Sequence, residues 1–206
     1  MKKWIVPALS AVAGAAASLI LYDRLPAEMA VHFGSGDSPD NWIGKPWGAF
    51  LLPALALAVP CITYLAARLE KDESKRRRAE AVNRSIMAFV SLLLLAVHAF
   101  TLVYNLGYEV SAGAFATVAV GLMFLLVGNI VPRVPQGYMQ WPKLPEAAQR
   151  KAARFQGRLM MTAGAAFLLL VLLPKGWIFP AFFTVLGLFV AALIGSLTVY
   201  TRSRAS

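Results

Sequence analysis

The charges of this chain sort by side. Six apolar stretches, Trp4–Tyr22, Trp47–Ala67, Ile86–Leu106, Ala112–Val131, Leu159–Leu173 and Ile178–Tyr200, alternate with polar segments, and none of the six contains Asp, Glu, Lys or Arg. If each stretch crosses a bilayer once, the segments on one side carry 17 of the 20 Lys and Arg. The other side holds only Arg24, Lys45 and Lys175. The ten acidic residues divide equally, so one face is +12 and the other −2. Lys and Arg resist translocation, which makes the basic side cytoplasmic. The pattern predicts an all-α, polytopic integral membrane protein. It has six transmembrane helices in a single domain of the bacterial inner membrane, with both termini inside. The net charge of +10 then needs no nucleic acid to explain it.

Run length decides between the two architectures that satisfy backbone polar groups in hydrocarbon. Most of the stretches are near the twenty residues of a spanning helix, twice the length of a barrel strand. The basic start Lys2–Lys3 followed by AGAAAS (Ala13–Ser18) also fits a signal peptide. The apolar run continues through Leu19–Tyr22, past any cleavage site there, and favours an anchor. Pro53 and Pro60 inside the second helix predict a bend. Cys61, the single cysteine, reads as a packed thiol. Small residues recur every four positions in Ser10–Gly14–Ser18, Gly113–Thr117–Gly121 and Gly187–Ala191–Gly195, as helix-packing stripes do.

Loop lengths say where function has room. Gly107–Ser111 and Pro174–Trp177 only turn the chain. The outer loop, residues 23–46, is the one external segment of any size. It carries Asp23, Glu28, His32, Asp37, Asp40 and Lys45. Its Gly, Ser and Pro residues predict a solvated, turn-rich loop. One histidine and no H-E-x-x-H pattern give no case for a metal. Inside the membrane the polar candidates are His98, Asn105 and Asn129, with interhelical hydrogen bonding as the plain role and a transporter as the alternative. No G-x-S-x-G, H-E-x-x-H or P-loop appears, so no enzyme and no cofactor is expected. An integral-membrane enzyme working from the outer loop is a further alternative.

The basic segments, residues 68–84 and 133–158, face inward and suit anionic lipid headgroups. Arg150, Arg154 and Arg158 recur every four residues behind Pro145 and Glu146. This predicts a short surface helix over Glu146–Arg158 leading into the fifth span.

Several segments carry a family resemblance. Leu25, Pro26, Met29, His32, Phe33, Gly36, Asp37 and Lys45 fit LP-x-x-[IM]-x-x-H-[FW] and the Gly/Asp turn ending in Lys. Gly128, Asn129 and Pro132 fit G-N-x-x-P. Arg154, Phe155, Gly157 and Leu159 fit R-[FL]-x-G-x-L. In these the chain resembles the SdpI immunity proteins and the domain of unknown function at their N-termini, and the resemblance covers essentially its whole length. A departure falls in Gly137–Leu144, GYMQWPKL, where the family has G-[IV]-R-T-P-W-T-L. Met139 replaces the Arg, Trp141-Pro142 inverts Pro-Trp, and Gln149 stands where a later Trp is expected.

The resemblance implies resistance to an exported peptide toxin, sensed through Pro26, His32, Phe33, Asp37, Asp40 and Lys45. It further implies capture of an ArsR-type cytoplasmic repressor. The docking surface would be Arg133, Trp141, Lys143, Arg150, Arg154 and Arg158.

Overall fold

The computed structural model describes residues 2–34, 37–69, 72–134 and 146–202. The chain divides into two compact units, Met1–Ala112 and Gly113–Ser206. Among the described residues, six helices are long and apolar enough to cross a membrane, and all six expected spans are helical.

The first unit contains α1 (Ile5–Leu21), α2 (Lys45–Arg68) and α3 (Glu73–Asn105). Between α1 and α2 lies an antiparallel hairpin, β1 (Glu28–Phe33) and β2 (Pro39–Gly44). This corrects the expectation of a turn-rich outer loop. The basic segment 68–84 is corrected too, because α3 begins at Glu73 and carries most of it. Its KRRRAEA run is made of strong helix formers. Arg77 closes an i,i+4 pair with Glu73 at 2.7 Å, a favourable spacing on a helix.

Proline shapes how these helices meet. A proline inside a helix has no N–H for the carbonyl four residues earlier. Pro53 thus frees the Ala49 carbonyl, and Pro60 frees that of Ala56. Ser18 Oγ of α1 donates to Ala49 O, and Ser91 Oγ of α3 donates to Ala56 O at 2.8 Å. Each freed acceptor is met by a buried serine from a different neighbour. In hydrocarbon no water would do this. The Ser10–Gly14–Ser18 stripe is the buried face of α1. A Cβ at Gly14 would lie 3.1 Å from the Pro53 ring and 3.3 Å from His98.

The second unit contains α4 (Ala112–Ile130), α5 (Glu146–Leu169) and α6 (Lys175–Arg202). Here the helix expected over Glu146–Arg158 is present and runs straight into the fifth span. The two are one continuous α5, extended by a 3-10 turn over Leu170–Leu172. Arg150 pairs with Glu146 at 3.1 Å in its first turns. Glycines let α4 and α5 touch backbone to backbone. A Cβ on Gly157 would come within 2.6 Å of Gly128 O, and one on Gly121 within 2.9 Å of Gly164 O. Phe167, fully buried, packs against Phe124 at 5.3 Å and Phe182 at 4.9 Å. The third small-residue stripe behaves differently, as Gly187 and Gly195 have nothing within 4 Å of a built Cβ.

Candidate functional site

The hairpin is too small to be stable alone, since two strands without a packed face are marginal in water. What holds it is the end of the helices beneath. Met29 is completely buried in a cluster with Leu25, Ala49 and Leu102. It lies so close to Gly48 that a Cβ there would sit 2.7 Å from the Met29 sulfur. Asn105, at the end of α3, works as a surrogate strand. Its Oδ1 accepts from Ala30 N at 2.8 Å, and its Nδ2 donates to Ala30 O at 3.0 Å. The same Nδ2 also donates to Thr101 O of its own helix. Phe33 packs edge-on against Tyr104 at 4.6 Å and Phe100 at 5.5 Å. At the base, Lys45 donates to Tyr22 O at 3.1 Å and lies over the Tyr22 ring.

The register contains two irregularities, one at Val31 on β1 and one at Asp40 on β2, and the first decides which β1 side chains face out. Ala30 pairs with Trp42 and His32 with Asn41, so Val31 is the extra residue on β1. Strict alternation would bury Met29, Val31 and Phe33 together. Instead Met29 and Ala30 are buried, Val31 and His32 are exposed, and Phe33 is half-buried. Bulges commonly re-aim side chains in this way. At the turn, Gly34 N donates to Ser38 O, and Asp37 takes a left-handed backbone with φ of 64°. Short polar side chains tolerate that conformation best after glycine.

The exposed side chains form the candidate site. His32 Nδ1 lies 2.5 Å from Asp40 Oδ1, across the two strands, with both side chains more than half exposed. Among the described residues no third His, Cys, Asp or Glu joins them as a metal cluster. Asp40, Asn41 and Trp42 are exposed in succession along β2. Even a charged pair so exposed adds at most about 1 kcal/mol to stability. Folding therefore does not require this arrangement. Pro26 is exposed at the entry to β1.

Of the sensor residues named from sequence, His32 and Asp40 are brought together. Phe33 and Lys45 anchor the hairpin, and Asp37 shapes its turn. The intramembrane residues separate as well. His98 Nε2 is 2.8 Å from Ser18 Oγ and 3.2 Å from Gly14 O. Ser18 gives its hydrogen to Ala49 O, so His98 Nε2 carries the proton in this contact and joins α3 to α1. Asn105 belongs to the hairpin clamp. Asn129 is exposed and accepts from Arg133 Nη2 at 3.0 Å. Of the docking residues, Arg150, Arg154 and Arg158 are exposed on α5, while Trp141 and Lys143 lie outside the described residues. Sequence reasoning missed Ser91 and Gly48, and it named Ser18 as a packing residue and not as a hydrogen-bond donor. The two prolines announce freed carbonyls, but the donors come from other helices and leave no local signal.

These features define a multi-pass helical membrane protein with a clamped hairpin at one end of its first unit. The family described as Domain of unknown function (DUF1648) matches residues 9–57, which run from α1 through the hairpin into α2. The chain is also 25% identical over 169 residues to the immunity protein SdpI of Bacillus subtilis (strain 168), covering 80% of this chain and 79% of that one. No solved structure matches. The two sequence matches make the chain similar to SdpI and to the DUF1648 domain, and with its six apolar helices it is a multi-pass bacterial membrane protein.

Proposed function

We propose that this chain is an immunity protein of the bacterial cytoplasmic membrane, with both termini inside and the hairpin outside. It protects its host from an exported antimicrobial peptide by sensing that peptide at the hairpin. The observation that carries this reading is the contrast within the hairpin. One face is fixed by Met29, Asn105 and Phe33, while His32, Asp40 and Trp42 are exposed. An extended peptide can add to an exposed strand through main-chain hydrogen bonds, with side chains setting specificity. The similarity to a protein named for immunity supports the same reading. In this reading the protein binds and signals without catalysing a reaction. The exposed arginines of α5 are the surface for a cytoplasmic repressor of the ArsR type.

A transporter reading has less support, because Asn105 spends its hydrogen bonds on the hairpin and on its own helix, and His98 Nε2 joins α3 to α1, which leaves His98 Nδ1 as the one buried side-chain nitrogen or oxygen without a partner among the described residues. The test is protection. The chain is expressed in a strain sensitive to the peptide encoded nearby, and survival is scored against an empty vector. Survival equal to the vector control, with normal membrane abundance, refutes immunity.

A further inference from the structure

The end of the first unit opposite the hairpin holds a cavity of about 240 Å³. Five basic side chains line it, with Glu80 as the one carboxylate among the lining residues. Lys3 Nζ contacts Glu80 at 3.1 Å. Lys3 Nζ also lies 4.2 Å from the centre of the Tyr64 ring, and the Arg68 guanidinium lies 5.1 Å from the same centre. Two cations are thus gathered on one aromatic ring, with Arg76 and Arg84 on the same cavity wall. Like charges so placed repel, and an anion between them relieves the repulsion.

Depth identifies the anion. Lys3 precedes the first span, Arg68 ends the second, and Arg84 lies in the first turn of the third, which begins at Val82. All three therefore meet at the boundary between hydrocarbon and headgroups, where lipid phosphates lie. Met87 and Ala67 supply apolar lining to the same cavity. Basic pockets between spanning helices are suited to acidic headgroups. We infer that this cavity binds the phosphate of an anionic phospholipid of the phosphatidylglycerol class, seated between Arg68 and Arg84 over Tyr64. The bound lipid ties the ends of α1, α2 and α3 together.

The test is native mass spectrometry of the full chain in detergent, titrated with phosphatidylglycerol or phosphatidylcholine. Wild type retains one phosphatidylglycerol in preference to phosphatidylcholine. The Arg68→Gln/Arg84→Gln variant loses that preference by roughly tenfold or more, the scale expected for two basic residues at an anionic surface. Arg150→Gln/Arg154→Gln removes the same charge from α5 and keeps the preference. Equal loss in both variants means diffuse attraction and overturns the site. Displacement of the lipid by millimolar inorganic phosphate assigns the cavity to a soluble phosphate and overturns the lipid. A photoreactive phosphatidylglycerol gives a readout on wild type alone, independent of how the variants fold. Labelling within residues 64–87 supports the site, and labelling confined elsewhere refutes it.

Discussion

Ser18 of α1 donates its hydroxyl hydrogen to the Ala49 carbonyl that Pro53 leaves without an intrahelical donor. The arrangement repeats seven residues on, where Ser91 of α3 serves the Ala56 carbonyl freed by Pro60. The Ala49 and Ala56 carbonyls freed by the prolines of α2 are therefore the acceptor sites through which both neighbouring helices are fixed.

The Ser91–Pro60 pair makes this measurable. Ser91→Ala strands a buried carbonyl and costs about 0.5–2 kcal/mol, the range of interhelical hydrogen bonds in membranes. In a Pro60→Ala background, the substituted residue provides the missing N–H, so the serine is no longer needed. A double-mutant cycle of unfolding in detergent or nanodiscs shows a coupling energy of similar size. A Ser91→Ala cost unchanged by Pro60→Ala contradicts the account.

Asn105 gives a second test. Its amide both accepts from and donates to Ala30, and Asn105→Leu removes both bonds. A net contribution of about 1 kcal/mol per bond makes hairpin opening roughly tenfold to thirtyfold more frequent. Hydrogen exchange at the Ala30 amide reads this directly, while exchange within α3 stays near wild type. Unchanged exchange at Ala30 means that Met29 and Phe33 hold the strand without Asn105.

The six spans were legible because hydrocarbon imposes length and excludes charge; every stretch lacked charge, and only Leu159–Leu173 was short, its helix beginning at Glu146. The hairpin was not legible. EMAVHF and PDNWIG are short, and the bulge at Val31 breaks the alternation that would have marked β1. Its stability comes from Asn105, 75 residues away in sequence, which no local pattern reveals. The full extents of α3 and α5 could have been read. Glu73–Arg77 and Glu146–Arg150 are i,i+4 pairs visible in sequence; the second lay in an expected helix, while the charge around the first suggested a solvated loop. In the candidate site, His32 and Asp40 were named, though only the folded hairpin, whose register pairs His32 with Asn41, brings their side chains into contact.

Glycine substitutions separate packing from exposure. Gly157→Ala drives a methyl into Gly128 O and the Pro132 ring, and Gly128→Ala does the reverse. Overpacking of this kind costs about 1–3 kcal/mol. Gly187→Ala meets nothing and gains roughly 0.5–1 kcal/mol of helix propensity. Thermal unfolding of the three variants in one detergent should therefore give two losses and one neutral or positive shift. A loss at Gly187 of the same size as at Gly157 means that this stripe packs against something as well.

The Lys3–Glu80 contact predicts a pH effect at the basic end. Glu80, outside the third span, has its carboxyl held below the ordinary value of 4.5, first by the hydrogen bond from Lys3 and then by its charge. A depressed carboxylate favours the folded state above its unfolded pKa, and that contribution disappears as pH falls through the folded value. The Lys3–Glu80 tether is thus intact at neutral pH and released below the usual carboxylate range. Titration followed by carbon NMR at Glu80 should give a midpoint under 4.5, moving upward in Lys3→Gln. An identical midpoint in the two proteins removes Lys3 as the cause.

The sharpest test of the proposed sensor separates the exposed pair from the anchors. His32→Ala and Asp40→Asn alter side chains that are mostly in solvent, so each should shift stability by no more than about 0.5 kcal/mol. Membrane abundance stays normal, and protection falls if the peptide is recognised here. Phe33→Ala removes the ring contacts with Phe100 and Tyr104, and Gly48→Val collides with Met29. Both should lower abundance and protection together, because the hairpin comes off its support. Measuring the two quantities in parallel distinguishes a lost contact with the peptide from a lost fold. Full protection by the His32→Ala/Asp40→Asn double variant at normal abundance would exclude the pair and leave Trp42 and the β2 edge as the surface to examine.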